Sequence, residues 1–385
     1  MFGPSVKIFR LFGFEVRIDA SWLIIAALLT WSLAIGVFPR EYPGLGLAEY
    51  WWMGAVGTLG LFASVVIHEL FHSLVARRHN LPMKGITLFI FGGVAQMGGE
   101  PSSPKIEFLV AIAGPLSSIG LGFIFYGIYR AGLNTMDPDT LGVVSYLAFI
   151  NWLLAAFNLI PAFPLDGGRI LRSALWHYKH DLRRATRIAS TIGSGFGLLL
   201  MAFAVFALFT GNFISAIWYF LIGMFLRNAS QMSYEQLLIR TALAGEPIRR
   251  FMTPTPVTVT PGMSIEELVD EYVYKYHYKM FPVVTGAEKH LEGCVSTKDV
   301  SGIPRQEWPL HKVGEVLKPC SLTNTVSPDA DALSVLTKMS ESGTSRMLVA
   351  DHDRLLAIVS IKDLLSFIAS KLELEGYSPK VPHTP

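Results

Sequence analysis

Charge is scarce in this 385-residue chain, where Asp, Glu, Lys and Arg make up only 16% of residues. Soluble domains carry about 25%. The deficit is uneven: residues 1–230 hold 27 of the 62 charges, and residues 231–385 hold 35. The first part has too few solvating groups for a soluble globule, whereas the second has an ordinary complement. Cysteine is scarcer still. Cys294 and Cys320 both fall in the second part, which excludes a disulfide-stapled secreted domain and reads as two reduced thiols. A net charge of +2 argues nothing about nucleic acid, and none is expected as a partner. Residues 1–4 (Met-Phe-Gly-Pro) are not followed by a short apolar core and cleavage site, so no removable signal peptide is expected.

Long apolar runs are what the first part does have. A helix needs about 20 mainly apolar residues to cross about 30 Å of hydrocarbon. Uncharged runs cover residues 21–38, 50–67, 108–129 and 141–165, and a run at 188–226 is long enough for two helices split at Gly211-Asn212. Six spans follow. Lys and Arg bias sets their direction. With the N-terminus inside, the inner segments hold fourteen basic residues and the outer ones only Arg40 and Arg130. A multi-pass protein of the cell membrane is expected, with its N-terminus and its C-terminal soluble part in the cytoplasm. Residues 6–18 alternate around Gly13 as a short hairpin at the membrane surface. Residues 86–97, β-branched and interrupted by Gly92-Gly93, are too short to span. They read as a re-entrant β-hairpin or as a loop on the surface.

The second span runs directly into His68-Glu69-Leu70-Phe71-His72. On a helix, residues i and i+4 share a face, so both imidazoles converge while Glu69 lies about 100° around. This is the arrangement with which His-Glu-x-x-His proteases hold zinc and aim a general base at its water. A charge at bilayer depth costs about 2.5–3.5 kcal/mol, and a bound metal ion would offset that cost. A third ligand is required. Asp166 follows Pro161 and Pro164 and precedes Gly167-Gly168, so it is expected on irregular chain at the inner end of its span, level with the histidines. Glu100, Glu107, His177 and His180 are expected in aqueous loops.

His68–His72 in one membrane helix, followed by Asn158-Leu-Ile-Pro-Ala-Phe-Pro-Leu-Asp166-Gly-Gly-Arg at the end of a later one, resembles the site-2 protease family of intramembrane zinc metalloproteases. The likeness covers most of residues 1–230 and includes Ala113-Gly114-Pro115. It implies one zinc ion per chain held by His68, His72 and Asp166, with Glu69 as base. The implied substrate is a transmembrane protein, cut within or near its span in regulated intramembrane proteolysis. Asn158 would position substrate or stabilise the oxyanion; the alternative is an interhelical hydrogen bond. Asn151 reads as structural.

The second part contains a repeat. Val295-Ser-Thr-Lys-Asp299-Val matches Val359-Ser-Ile-Lys-Asp363-Leu at a spacing of 64, and Met252-Thr-Pro matches Leu317-Lys-Pro. A period near 60 suits a paired domain. The pattern resembles a tandem CBS pair, spanning 246–302 and 313–370. That resemblance implies an adenine nucleotide bound near Ser296, Asp299, Ser360 and Asp363, modulating the protease, and a homodimer formed through these domains. Alternatively, Asp299 and Asp363 cap the helices that follow. Residues 371–385 are expected to be a disordered tail.

The expected fold is therefore a multi-pass α-helical membrane domain over 1–230 with short β-hairpins, plus a cytoplasmic α/β tandem CBS module. A transporter built on the same residues would not require His-Glu-x-x-His spacing. Serine and aspartyl intramembrane proteases are disfavoured, because neither Gly-x-Ser-x-Gly nor a second intramembrane Asp occurs.

Overall fold

The computed structural model describes residues 5–374 except 90, 91, 98, 287, 289 and 322. The chain divides into two compact units, Met1–Gln236 and Leu237–Pro385. Among the described residues, six helices are long and apolar enough to cross a membrane, matching the count expected from hydropathy. They are α1 (Ser21–Glu41), α2 (Leu47–Arg78), α3 (Pro104–Gly132), α4 (Pro138–Asn158), α6 (Leu182–Phe209) and α7 (Phe213–Leu243), with a shorter α5 (Asp166–Lys179) between α4 and α6.

Local chemistry fixes the helix ends. Ser103 caps α3 by accepting from Ile106 N, and Pro104 at the first position has no N–H to leave orphaned. Asp181 caps α6 by accepting from Arg184 N. Asn151, buried in α4, donates to Ser64 Oγ at 2.9 Å and to Leu147 O at 2.8 Å, a structural interhelical contact as expected. One expectation needs correction. The fourth span stops at Asn158, and Asp166 is not on irregular chain but opens α5. The irregular stretch is 159–165, where Pro161 and Pro164 forbid continuation of the ladder.

The two short hairpins join. Strands β1 (Ser5–Leu11), β2 (Phe14–Asp19), β3 (Met83–Phe89) and β4 (Gly92–Met97) form one sheet in that order, with β2 and β3 parallel. Val16, Leu88, Ile25, Phe62 and Val66 form a common apolar cluster that fixes the sheet on α1 and α2. The turn of the second hairpin, residues 90–91, lies outside the described residues.

In the second unit each repeat supplies a helix, two strands and a closing helix. The first has residues 265–276, β6 (Met280–Thr285), β7 (His290–Ser296) and α9 (Thr297–Val300). The second has α11 (Ala332–Ser342), β10 (Arg346–Asp351), β11 (Arg354–Ser360) and α12 (Ile361–Leu374), preceded by β9 (Thr325–Val326). The helix at 265–276 is α8, and α10 is the turn Val313–Val316 between the repeats. Two-residue strands cross over: β5 (Thr253–Pro254) pairs with β11, and β8 (Lys318–Pro319) pairs with β7. Each repeat is thus closed by the leading strand of the other. Helix α12 continues to Leu374, past the expected boundary at 370; the rest of the expected tail, 375–385, lies outside the described residues.

Candidate metal centre

The 3.6-residue period of α2 carries His68 and His72 on one face, and both are buried. Asp166, the first residue of α5, reaches the same point. Asp166 Oδ2 lies 3.0 Å from His68 Nε2 and 3.1 Å from His72 Nε2, and the two Nε2 atoms are 3.1 Å apart. Among the described residues this is the one group of three His, Cys, Asp or Glu side chains whose ligand atoms gather closely enough for a metal ion. In a tetrahedral zinc site with bonds of about 2.0–2.1 Å, ligand atoms sit about 3.3–3.4 Å apart. The triangle fits that geometry after a shift of a few tenths of an ångström.

The hydrogen bonds behind the triangle reinforce the fit. His72 Nδ1 lies 2.6 Å from Val110 O; a carbonyl only accepts, so Nδ1 carries the proton. A neutral His72 then presents its Nε2 lone pair to His68 Nε2 and to the Asp166 carboxylate. Holding Nδ1 in this way turns Nε2 toward the triangle, the orientation that a partner on the far nitrogen gives a metal-binding histidine. His68 Nδ1 is held in turn by Ser118 Oγ at 2.8 Å. Room for the rings comes from Gly114: a Cβ there would lie 2.2 Å from His72 Nε2 and 2.5 Å from His68 Nε2. Val110, Gly114 and Ser118 follow one face of α3 at helical spacing.

Asp166 is placed by the irregular stretch before it. Phe163 N donates to Ala189 O at 3.3 Å, and Ser230 Oγ donates to Phe163 O, tying the stretch to α6 and α7. The chain then folds back so tightly that a Cβ at Gly167 would lie 2.2 Å from Leu159 O. Only glycine fits after the aspartate.

An apolar cavity of about 490 Å³ opens beside the triangle, and His68, Glu69, Asn158, Gly93, Trp218 and Phe225 are among its lining residues. Glu69 and Asn158 therefore share the cavity with His68. Glu107 differs from its expected place. It lies on α3, fully buried, and accepts from Arg172 Nε at 2.6 Å; burial at the start of a span has selected pairing over solvation. Ser118 and Arg172 were not singled out from sequence. The polar pair Ser117-Ser118 inside an apolar helix was the available signal for the first.

The four residues of the CBS pair are used locally. Ser296 N donates to Asp299 Oδ2 and Ser360 N to Asp363 Oδ2, each at 2.9 Å. Both aspartates thus cap the helices that follow them.

Residues 56–136 and 128–202 match Peptidase family M50, and residues 248–303 and 313–370 each match the CBS domain. The chain is 32% identical over 367 residues to Rip3 of Mycobacterium tuberculosis, named as a zinc metalloprotease, covering 94% of this chain and 93% of the relative. A zinc metalloprotease of Methanocaldococcus jannaschii is 30% identical over 371 residues, covering 96% of this chain and 98% of that one. A solved structure of a site-2 protease from the same organism is similar at a TM-score of 0.44 and 29% sequence identity, covering 60% of this chain and 95% of that one. The chain belongs to peptidase family M50: it is a multi-pass membrane zinc metalloprotease of the site-2 protease type with a tandem pair of CBS domains.

Proposed function

We propose that this protease hydrolyses a peptide bond within or near the transmembrane segment of a membrane protein, at a centre where His68, His72 and Asp166 hold zinc. The observation that carries the reading is the convergence of three buried potential ligand atoms beside an apolar cavity inside the spanning helices. When bound, zinc lowers the pKa of a coordinated water to about 7 and polarises a carbonyl.

The chain's own groups do the rest. A helical substrate hides its carbonyls in i→i−4 bonds, so the segment to be cut must unwind first. Unwound, it exposes backbone donors and acceptors that need partners. Among the described residues strand β4 pairs only with β3 in its sheet, leaving an edge on which an extended segment can pair. That edge is close to the base: a Cβ on Gly93 would lie 2.8 Å from Glu69 Cγ. The Glu69 carboxylate takes a proton from the attacking water as its oxygen adds to the carbonyl carbon. Asn158 donates its amide N–H to the carbonyl oxygen, on which negative charge develops. Glu69 then delivers the proton to the leaving amine as the C–N bond breaks.

The basic residues support a cytoplasmic N-terminus and cytoplasmic CBS pair. The CBS pair binds an adenine nucleotide near Ser296 and Asp299 or Ser360 and Asp363, supports a homodimer, and modulates cleavage through differential affinity for two states. The test is the full chain reconstituted with single-span substrates, with products mapped by mass spectrometry. Cuts within or next to the span by wild type and none by Glu69→Gln, both binding zinc, are expected. Full turnover by Glu69→Gln, or cuts confined to distant soluble loops, would overturn the reading.

A further inference from the structure

The helix that orients both imidazoles and the helix that presents Asp166 are different elements, and one buried side chain joins them. On α3, Glu107, Val110, Gly114 and Ser118 lie at spacings of three, four and four, one continuous face. The last three hold or admit the histidine rings. Glu107, one turn earlier, receives Arg172 Nε at 2.6 Å. Arg172 belongs to α5, six residues and about 9 Å along the helix axis from Asp166. Its Nη2 also reaches Glu100 Oε2 at 3.2 Å, and its guanidinium lies over the Phe163 ring, 5.1 Å from the centroid. Phe163 in turn is the point at which 159–165 is fastened to α6 and α7. Both Arg172 and Glu107 are buried, at 4% and 0% exposure.

We propose that Arg172, braced on Glu107, is a positioning residue that sets the distance between Asp166 and the two histidines. It touches no metal ligand. It acts by locking α5 and the preceding stretch to the face of α3 that fixes the imidazoles. The planar fork is required: one guanidinium meets Glu107 and Glu100 in its plane and Phe163 on its face, which a point-charge ammonium cannot do at once. The inference rests on zinc binding at His68, His72 and Asp166.

The test uses the full-length protein and reads metal rather than turnover. Zinc affinity is measured by chelator competition, and ligand geometry by the visible spectrum of the cobalt(II)-substituted protein. Arg172→Lys is expected to weaken zinc binding about 10–100-fold, the usual effect of losing a group that orients a ligand, and to alter the cobalt spectrum. Glu107→Gln/Arg172→Gln, which leaves no unpaired buried charge, is expected to do the same and keeps the question open to measurement should the lysine variant not fold. Thr58→Val, which breaks the Thr30–Thr58 hydrogen bond between α1 and α2, serves as a control for destabilisation alone and should keep both readouts. Wild-type zinc affinity and spectrum in either Arg172 variant would overturn the proposal. So would equal zinc loss in the control at matched melting temperature. A wild type that binds no zinc would instead overturn the metal reading itself.

Discussion

Lys318 Nζ lies 2.7 Å from Asp299 Oδ1, and among the described residues nothing equivalent stands at the same place in the other repeat. The register pairs Cys294 with Lys318 on one side and Ile358 with Thr253 on the other, so a lysine on one side is matched by a threonine. Burial raises the Asp299 pKa, but hydrogen bonds from Lys318 and Ser296 outweigh it and hold the carboxyl below its usual range. The pair therefore contributes stability above the unfolded aspartate value of about 3.9 and loses it as pH falls through the lower folded value. A nucleotide whose hydroxyls need Asp299 must first displace Lys318, whereas Asp363 carries no such partner among the described residues. Calorimetry on the full chain should show ATP, ADP or AMP binding that Asp363→Ala removes and Asp299→Ala spares. Lys318→Met should strengthen binding at the Asp299 cleft. Equal losses in both alanine variants would contradict this asymmetry.

Gly114→Ala places a methyl group where the rings now lie. Its Cβ, 2.2 Å from His72 Nε2, must push both imidazoles off the triangle, and zinc affinity should fall at least about tenfold. Alanine favours a helix over glycine by about 1 kcal/mol, so lost helix propensity cannot explain the loss. Chelator competition on this variant checks it; unchanged affinity would mean that the rings relax freely.

Asn158→Ala should spare zinc and substrate KM while lowering kcat by about 10²–10³, the usual cost of removing one oxyanion donor. A variant whose only change is a raised KM would make Asn158 a substrate anchor instead. Steady-state cleavage with measured zinc occupancy separates the two.

Burial, aided by the nearby Asp299 charge, pushes the Cys294 thiol up to about 11. Since the thiolate is the nucleophile, at pH 8 only about one thiol in a thousand is reactive, against about one in four at the free value of about 8.5. Cys294 should resist iodoacetamide in the folded chain and label on unfolding. Rapid labelling at pH 8, read by mass spectrometry, would show that β7 opens readily.

The sequence disclosed whatever depended on local spacing. His68 and His72 announce themselves because one helical turn is enough to pair them, and the six spans because length and apolarity are additive along the chain. Asp166 was legible through the prolines and glycines around it, although its own residue begins a helix: proline rules say where a helix cannot continue, not where the next begins. Glu107 was misplaced because its partner is 65 residues away, at Arg172, and no local pattern tells a buried charge from a solvated one. The joining of the hairpins escaped for the same reason, as β2 and β3 meet in parallel across more than 60 residues. Two-residue strands such as β5 and β8 have no periodicity to read.

The exchange of those short strands has a consequence in time. Thr253 is paired with Ile358, so the first strand of the CBS pair stays unpaired until the last strand has been made. At about 5–20 residues per second of synthesis, the intervening hundred or so residues take roughly 5–20 s. Throughout that interval the membrane helices are already translated, while β5, the strand that closes the second repeat, has no partner. The pair can therefore be completed only as a whole, and a ribosome that stalls or a chain cut anywhere before Ser360 yields a protease without a finished CBS pair.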